Sequence, residues 1–159
     1  VSSVQFGRDT FFEEVADVLQ RTGLEPHLLQ VELTESATVN GMERAADMMR
    51  RLERMGVSVA VDDFGTGYSC LTYLPKLPFD TLKLDKSFVN EMMVRRVTKA
   101  WGGSIVTLAR ELDRKVIAEG IETPEQLRAL RSIGSDAGQG YLLGRPSGDP
   151  ISLLSNQPV

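Results

Sequence analysis

Short apolar runs recur along the 159-residue chain at intervals of roughly 20 to 35 residues, and amphipathic segments fill the gaps between them. The runs are 1–6 (VSSVQF), 28–33 (LLQVEL), 57–61 (VSVAV), 81–84 (TLKL), 115–119 (KVIAE) and 138–143 (GQGYLL). Helical patterns are read at 9–22, 41–55, 99–113 and 124–133. Strands alternating with helices at this spacing predict βα units and a parallel sheet, because a parallel connection must cross back over the sheet. The predicted class is α/β, in a single domain over 1–159 with no internal linker.

Helix ends carry their own chemistry. In 41–55, Met42, Ala45, Met49 and Leu52 share one face, with charges opposite. Asn40 followed by Glu43 resembles a capping box, and Gly56 suits the left-handed turn that stops a helix. Thr123-Pro124-Glu125-Gln126 is a stronger start, with an N-cap threonine, a first-turn proline and a glutamine reaching back.

Composition narrows the function. An apolar fraction of 42% and a charged fraction of 25% are those of a soluble globular protein. A net charge of −4, with the basic residues scattered, speaks against a DNA-binding surface. No apolar run reaches the ~20 residues that span a bilayer, and no secretory leader is read, so a cytoplasmic setting is expected. The single cysteine, Cys70, excludes an intrachain disulfide and cysteine-rich zinc modules, and the single histidine, His27, falls in a loop-like stretch. Carboxylates and lysine are left to carry any catalysis.

Those groups share a location. Glu32, Asp62 with Asp63, Lys83 with Asp85, Glu119 and Gln139 lie within or at the ends of successive runs. In a parallel sheet or barrel the strand C-termini share one face, and that face hosts the site. Clustered carboxylates with little histidine favour hard, oxygen-preferring cations. Neighbouring side chains on a strand point to opposite faces, so Asp62 and Asp63 can join one cluster only where the strand turns into its loop. Gly65 and Gly67 are expected to supply that turn. Alternation through 81–85 sends Lys83 and Asp85 to one side, and an ordinary ion pair of Lys83 with Asp85 or Glu119 is compatible with a catalytic role.

The segments VELTES, VAVDDFGTGYSCLTYLPKLPFDTLKLDKSFV, VIAEGIET and GQGYLLGRP together resemble the EAL-domain cyclic di-GMP phosphodiesterases from residue 1 to about 148. The resemblance implies a partial (β/α)8 TIM-type barrel, a two-metal site for Mg²⁺ or Mn²⁺, and hydrolysis of cyclic di-GMP to linear pGpG. It also implies homodimerisation in many members, and a sensor or cyclase domain in the parent chain. By position, Glu32, Asp62, Asp63 and Glu119 resemble the metal ligands. Lys83 and Glu119 resemble the catalytic pair, and Gln139 a substrate or metal-water contact. Glu35 resembles the anchor of the DFGTGYS loop, with Asp85 and Glu122 in the supporting shell.

The departures set the remaining expectations. The Glu-Ala-Leu motif is absent, and Val1 stands one position after the asparagine that the family uses as a ligand. Cys70 replaces a frequent serine, and YLLGRP a frequent YLFSRP. A closed barrel takes about 250 residues, so a fragment of about six βα units lacking its N-terminal strands is expected, with impaired activity on its own. A non-catalytic nucleotide receptor or interaction module is the alternative.

Overall fold

In a computed structural model, described over residues 10–39, 41–66 and 71–146, five parallel strands form one sheet in the order in which they occur in the chain. They are β1 (Gln30–Thr34), β2 (Ser58–Phe64), β3 (Thr81–Leu84), β4 (Lys115–Ala118) and β5 (Ala137–Gly138). The helices are α1 (Phe11–Thr22), α2 (Glu35–Val39), α3 (Met42–Arg54), α4 (Lys86–Val94), α5 (Arg96–Glu111) and α6 (Pro124–Ile133). Each strand pairs with the next, so every crossover moves one position in the same direction, as in the wall of a barrel. The run at 1–6 and the pairing of Asn40 with Glu43 lie outside the described residues, as do Gly67 and Cys70.

Burial follows the sheet. All four residues of β3 are buried, and Leu33, Ala60, Leu82, Leu84, Val116 and Ala118 are closed to solvent. On α3 the covered face is Ala45, Ala46, Met48, Met49 and Leu52, with Met42 at its edge. Phe64, Phe79 and Ile121 fill the space between sheet and helices. Burying side chains of this size contributes about 1.5–3 kcal/mol each, and the β2–β3–β4 centre is where most of that burial is concentrated.

The sheet also shows where sequence patterning stops. The run at 138–143 yields only a two-residue strand. Gly140 explains the break: a Cβ there would lie 2.2 Å from the backbone N and O of Ile121, so the chain passes against another backbone instead of pairing onward. Leu143 and Gly144 then donate their N–H groups to the Gly140 carbonyl, closing a turn over Tyr141–Leu143. Helix α4 has no counterpart among the helical patterns of the sequence, and α5 begins three residues before the start expected at 99. The N-cap of α4 is Asp85, whose carboxylate accepts from the Ser87 N–H (2.7 Å) and hydroxyl. Asp85 therefore leaves the strand pattern and does not pair with Lys83. Gly56, with φ +80°, does close α3, and the capping box of Thr123 and Gln126 is complete.

One device is used twice at the strand N-termini. Val59 N–H donates to Asp80 Oδ2 (2.8 Å), and Val116 N–H donates to Asp136 Oδ2 (2.7 Å). In each case the aspartate backbone N–H returns a bond to the same residue's carbonyl, at 2.8 and 3.0 Å. Each aspartate sits just ahead of a strand and pins the start of its neighbour. Replacing Asp80 with alanine strands the Val59 N–H, and a net loss of about 1–2 kcal/mol is expected in urea unfolding. Asp80→Asn retains an acceptor and should recover most of that loss.

Candidate functional site

The C-terminal ends of the strands bring the sequence-derived groups together around one ammonium. Lys83 Nζ lies 2.6 Å from Glu32 Oε1 on β1, 3.1 Å from Asp62 Oδ1 on β2 and 2.6 Å from Glu119 Oε1 just after β4. The lysine side chain is only 8% exposed, whereas its partners are 43%, 20% and 17% exposed. A charge in this position is tolerable only because it is surrounded. Burial works against the Lys83 charge, but the hydrogen bonds it donates to Glu119 and Glu32 and the nearby Asp62 carboxylate outweigh it and hold the pKa well above the ordinary lysine value. Lys83 is a fixed cation at neutral pH. Gln139, just after β5, donates from Nε2 to Glu119 Oε1 at 2.8 Å, so five successive strands contribute to one cluster.

Asp63 joins Asp62 in the field of the cluster through a turn that starts within the strand and runs on into Gly65, at φ +98°. Pairing of β2 with β3 runs through Val61–Leu82 and resumes at Phe64–Leu84, with a register shift between. Asp63 sits in that irregularity with φ +56°, a conformation that aspartate tolerates better than most residues. The turn therefore begins inside the strand, at Asp63 itself, and continues at Gly65. The Asp63 carbonyl accepts from the Thr66 hydroxyl (2.9 Å), and the Gly65 N–H donates to Glu35 Oε2 at 3.0 Å. Glu35 is 3% exposed at the start of α2, so the start of the DFG loop is held by a buried carboxylate from the neighbouring βα unit. His27, by contrast, lies on the surface beside Glu25 and is remote from this chemistry.

The cluster is electrostatically lopsided. Burial, reinforced by the charges of Asp62 and Asp85, raises the Asp63 carboxyl above its usual range despite Lys83. Asp62 Oδ1 is buried, in ion-pair contact with Lys83 but without a well-directed hydrogen bond, and the buried Glu35 Oε1 has no hydrogen-bond partner either. An all-oxygen donor set with a crowded Asp62–Asp63 pair fits a hard divalent cation in its chemistry. Among the described residues no three carboxylate, imidazole or thiol groups close into a cage on their own. Lys83 occupies the centre, and the acidic groups are arranged about it as an open set.

A cleft of about 700 Å³ adjoins the cluster, with Glu119, Gln139, Lys86, Glu122, Tyr141 and Arg145 in its lining. The Arg145 guanidinium stacks 4.5 Å from the Tyr141 ring centre, and Lys86 Nζ bonds Glu122 Oε1 at 2.6 Å. A larger cleft of about 870 Å³ lies on the outer helical layer between α5 and α6 and contains none of the clustered groups. The chemistry locates the site; cleft size does not.

The Asp63 shift has a consequence for stability. A carboxyl raised on folding contributes most below its unfolded value, near 3.8, and loses that contribution as pH rises through the folded value. Asp63→Asn is thus expected to raise the melting temperature of the metal-free protein at pH 7. The advantage should vanish as pH falls below the carboxylate range, and thermal scans between pH 3 and 7 test this. Asparagine also accepts the positive φ, so backbone strain does not confound the comparison.

Comparison with known proteins agrees with this geometry. The model of the EAL domain family matches residues 1–146. The cyclic di-GMP phosphodiesterase NbdA of Pseudomonas aeruginosa is 41% identical over 93% of this chain, which spans 19% of that protein's length. The solved phosphodiesterase domain of MucR from the same organism, described as a c-di-GMP complex, superposes with a TM-score of 0.89 at 39% identity. That match covers 96% of this chain and 62% of the other. BlrP1 of Klebsiella pneumoniae, solved as a manganese and cy-diGMP complex, gives a TM-score of 0.82 at 30% identity, covering 89% of this chain and 36% of that one. The five-stranded sheet is thus part of the wall of the barrel found in these proteins, and the chain spans about a fifth of the length of the curated relatives it matches. With residues 1–146 of its 159 matched by the family model, the chain belongs to the EAL domain family.

Proposed function

We propose that this chain is the C-terminal part of a phosphodiesterase domain that hydrolyses cyclic di-GMP to linear pGpG with the help of divalent cations. The observation that carries the reading is the convergence of Glu32, Asp62, Lys83, Glu119 and Gln139 from five strands onto one point beside an open cleft. Glu32, Asp62, Asp63 and Glu119 are the groups that would hold Mg²⁺ or Mn²⁺. Bound there, such ions supply an activated water and neutralise phosphodiester charge.

The remaining work falls to the chain's own groups. Lys83, charged throughout the neutral range, offers its ammonium to the negative charge that builds on the phosphoryl oxygens. Glu119 takes the proton of the attacking water. Its Oε1 already accepts from Lys83 and Gln139, which fixes the plane of the carboxylate before substrate arrives. Glu35 holds the Gly65 backbone and with it the Asp62–Asp63 turn. Tyr141 and Arg145 offer a flat, cationic wall to a purine base.

The reading extends to the whole protein. A cyclase or sensor domain in the same chain is supported by the similarity to a bifunctional diguanylate cyclase/phosphodiesterase. Self-association through a second copy is supported by the exposure of Val94, Val97 and Trp101 along α4 and α5. A cytoplasmic setting is consistent with the described residues, among which no helix is long and apolar enough to cross a membrane.

Incubating the full-length protein with cyclic di-GMP and Mg²⁺ or Mn²⁺ is expected to yield pGpG. Asp62→Asn and Glu119→Gln should each lower turnover at least ~100-fold, as loss of a group aimed at the transition state does. Binding without hydrolysis would instead establish the receptor reading, and neither binding nor hydrolysis would leave an assembly role.

A further inference from the structure

Three contacts between the β3–α4 and β4–α6 units join residues the same 36 positions apart: Lys83 with Glu119, Lys86 with Glu122, and Asn90 with Gln126. The first is the ion pair at the heart of the site (2.6 Å). The second is also 2.6 Å long and forms part of the cleft wall. In the third, Gln126 Nε2 donates to Asn90 Oδ1 at 2.8 Å. Lys86 and Asn90 are one turn apart on α4, and Glu122 and Gln126 are four residues apart at the start of α6, so the outer two contacts stack as successive rungs.

We propose that Asn90–Gln126 and Lys86–Glu122 form a positioning clamp that sets Glu119 against Lys83. The inference rests on the catalytic reading of Glu119 given above. Its basis is how completely the segment between Glu119 and Thr123 is tied down. Gln126, 6% exposed, accepts both the Glu122 N–H (2.7 Å) and the Thr123 N–H (2.9 Å) on Oε1, and spends its amide donor on Asn90. One side chain therefore ties the segment to α6 and to α4 at once. The Lys86 stem is pressed onto the Gly120 backbone, where an added Cβ would lie 2.4 Å from Lys86 Cγ and 2.5 Å from its Cβ. On the opposite side, Ile121 N–H donates to the Gln139 carbonyl and Leu142 N–H to the Ile121 carbonyl, both at 3.0 Å.

Glu119 and Gln139 thus sit on two loops already zipped together, and the clamp fixes that pair relative to α4 and the strand that carries Lys83. Without it, α4 and the 119–123 segment would touch mainly through packing, which sets distance less sharply than directed hydrogen bonds do. Asn90 and Gln126 touch neither substrate nor reacting atoms in this account; they are positioning residues. Misplacement of a reacting group by about 1 Å costs up to ~100-fold in rate, so loss of the Asn90–Gln126 rung alone should be visible.

Asn90 is exposed, so it can be changed without opening the core. In the full-length protein, Asn90→Leu removes the acceptor while leaving the Gln126 capping bonds intact, and Asn90→Asp keeps an acceptor in place. Asn90→Leu is expected to speed amide hydrogen exchange at residues 120–122 while the last turn of α6 stays as in the wild type and the melting temperature falls by no more than a few degrees, the cost of leaving the Gln126 amide donor without its partner. It should lower kcat about tenfold with KM held within about twofold, and Asn90→Asp should restore both readouts. Unchanged exchange at 120–122, unchanged kcat in an active protein, loosening spread evenly through α6, or failure of Asn90→Asp to rescue would each overturn the clamp. A wild-type protein with no turnover would overturn the phosphodiesterase reading alone, and the exchange comparison would still decide the clamp.

Discussion

A single buried ammonium organises this domain. Lys83 stands on the most deeply buried strand, where an unpaired charge would be prohibitive, and it is stable there because β1, β2 and the end of β4 each turn a carboxylate toward it. The same arrangement fixes what the strands can do. Glu32 and Asp62 must come from strands in register on one side of Lys83, and Glu119 from the other, which the consecutive parallel order provides. Three acidic groups around one base leave the rim negative, and Asp63 adds to the excess. The domain tolerates this surplus because the rim opens to the cleft, where solvent or cations reach it.

Much of this was legible in the sequence because two periodicities and one placement rule suffice to read it. Strand-length apolar runs at 57–61, 81–84 and 115–119 correspond to β2, β3 and β4, and the groups at their ends converge on Lys83 as strand polarity requires. The illegible parts have definite causes. In GQGYLL, local apolar character was overridden by the contact of Gly140 with the Ile121 backbone, a tertiary event with no local signature. Helix α4 was hidden behind the strand before it: TLKLDKSF alternates like a longer strand, and only the capping geometry at Asp85 shows where extension ends. Asp85-Lys86-Ser87 opening an apolar segment is a helix-start signal that could have been used.

The Asp62–Asp63 pair marks the boundary between these cases. Adjacent carboxylates at a strand end point to a cluster of polar groups, and Asp62 does meet Lys83 beside Glu32 and Glu119. The turn that presents the pair does use Gly65, at φ +98°, but it starts two residues earlier, at Asp63 itself with φ +56°. A strand bulge needs only a partner strand whose register resumes one step later, and that partner, β3, is far away in sequence. Local pattern names the residues; pairing decides how they are aimed.

Aim is also what separates the inner contacts of the site from those outside it. Lys83 with Glu119 would form in many loop geometries, because opposite charges in a buried setting find one another. What is not guaranteed is the angle at which Glu119 meets the cleft, and long-range attraction does not specify it. Directed bonds do: the amide of Gln139 on Oε1, the backbone zipper between Ile121 and the 139–142 turn, and the rungs at Lys86 and Asn90. Electrostatics assembles this site and the directed hydrogen bonds around it orient it, so on the proposed reading residues such as Gln126 bear on the chemistry from beyond its contact distance.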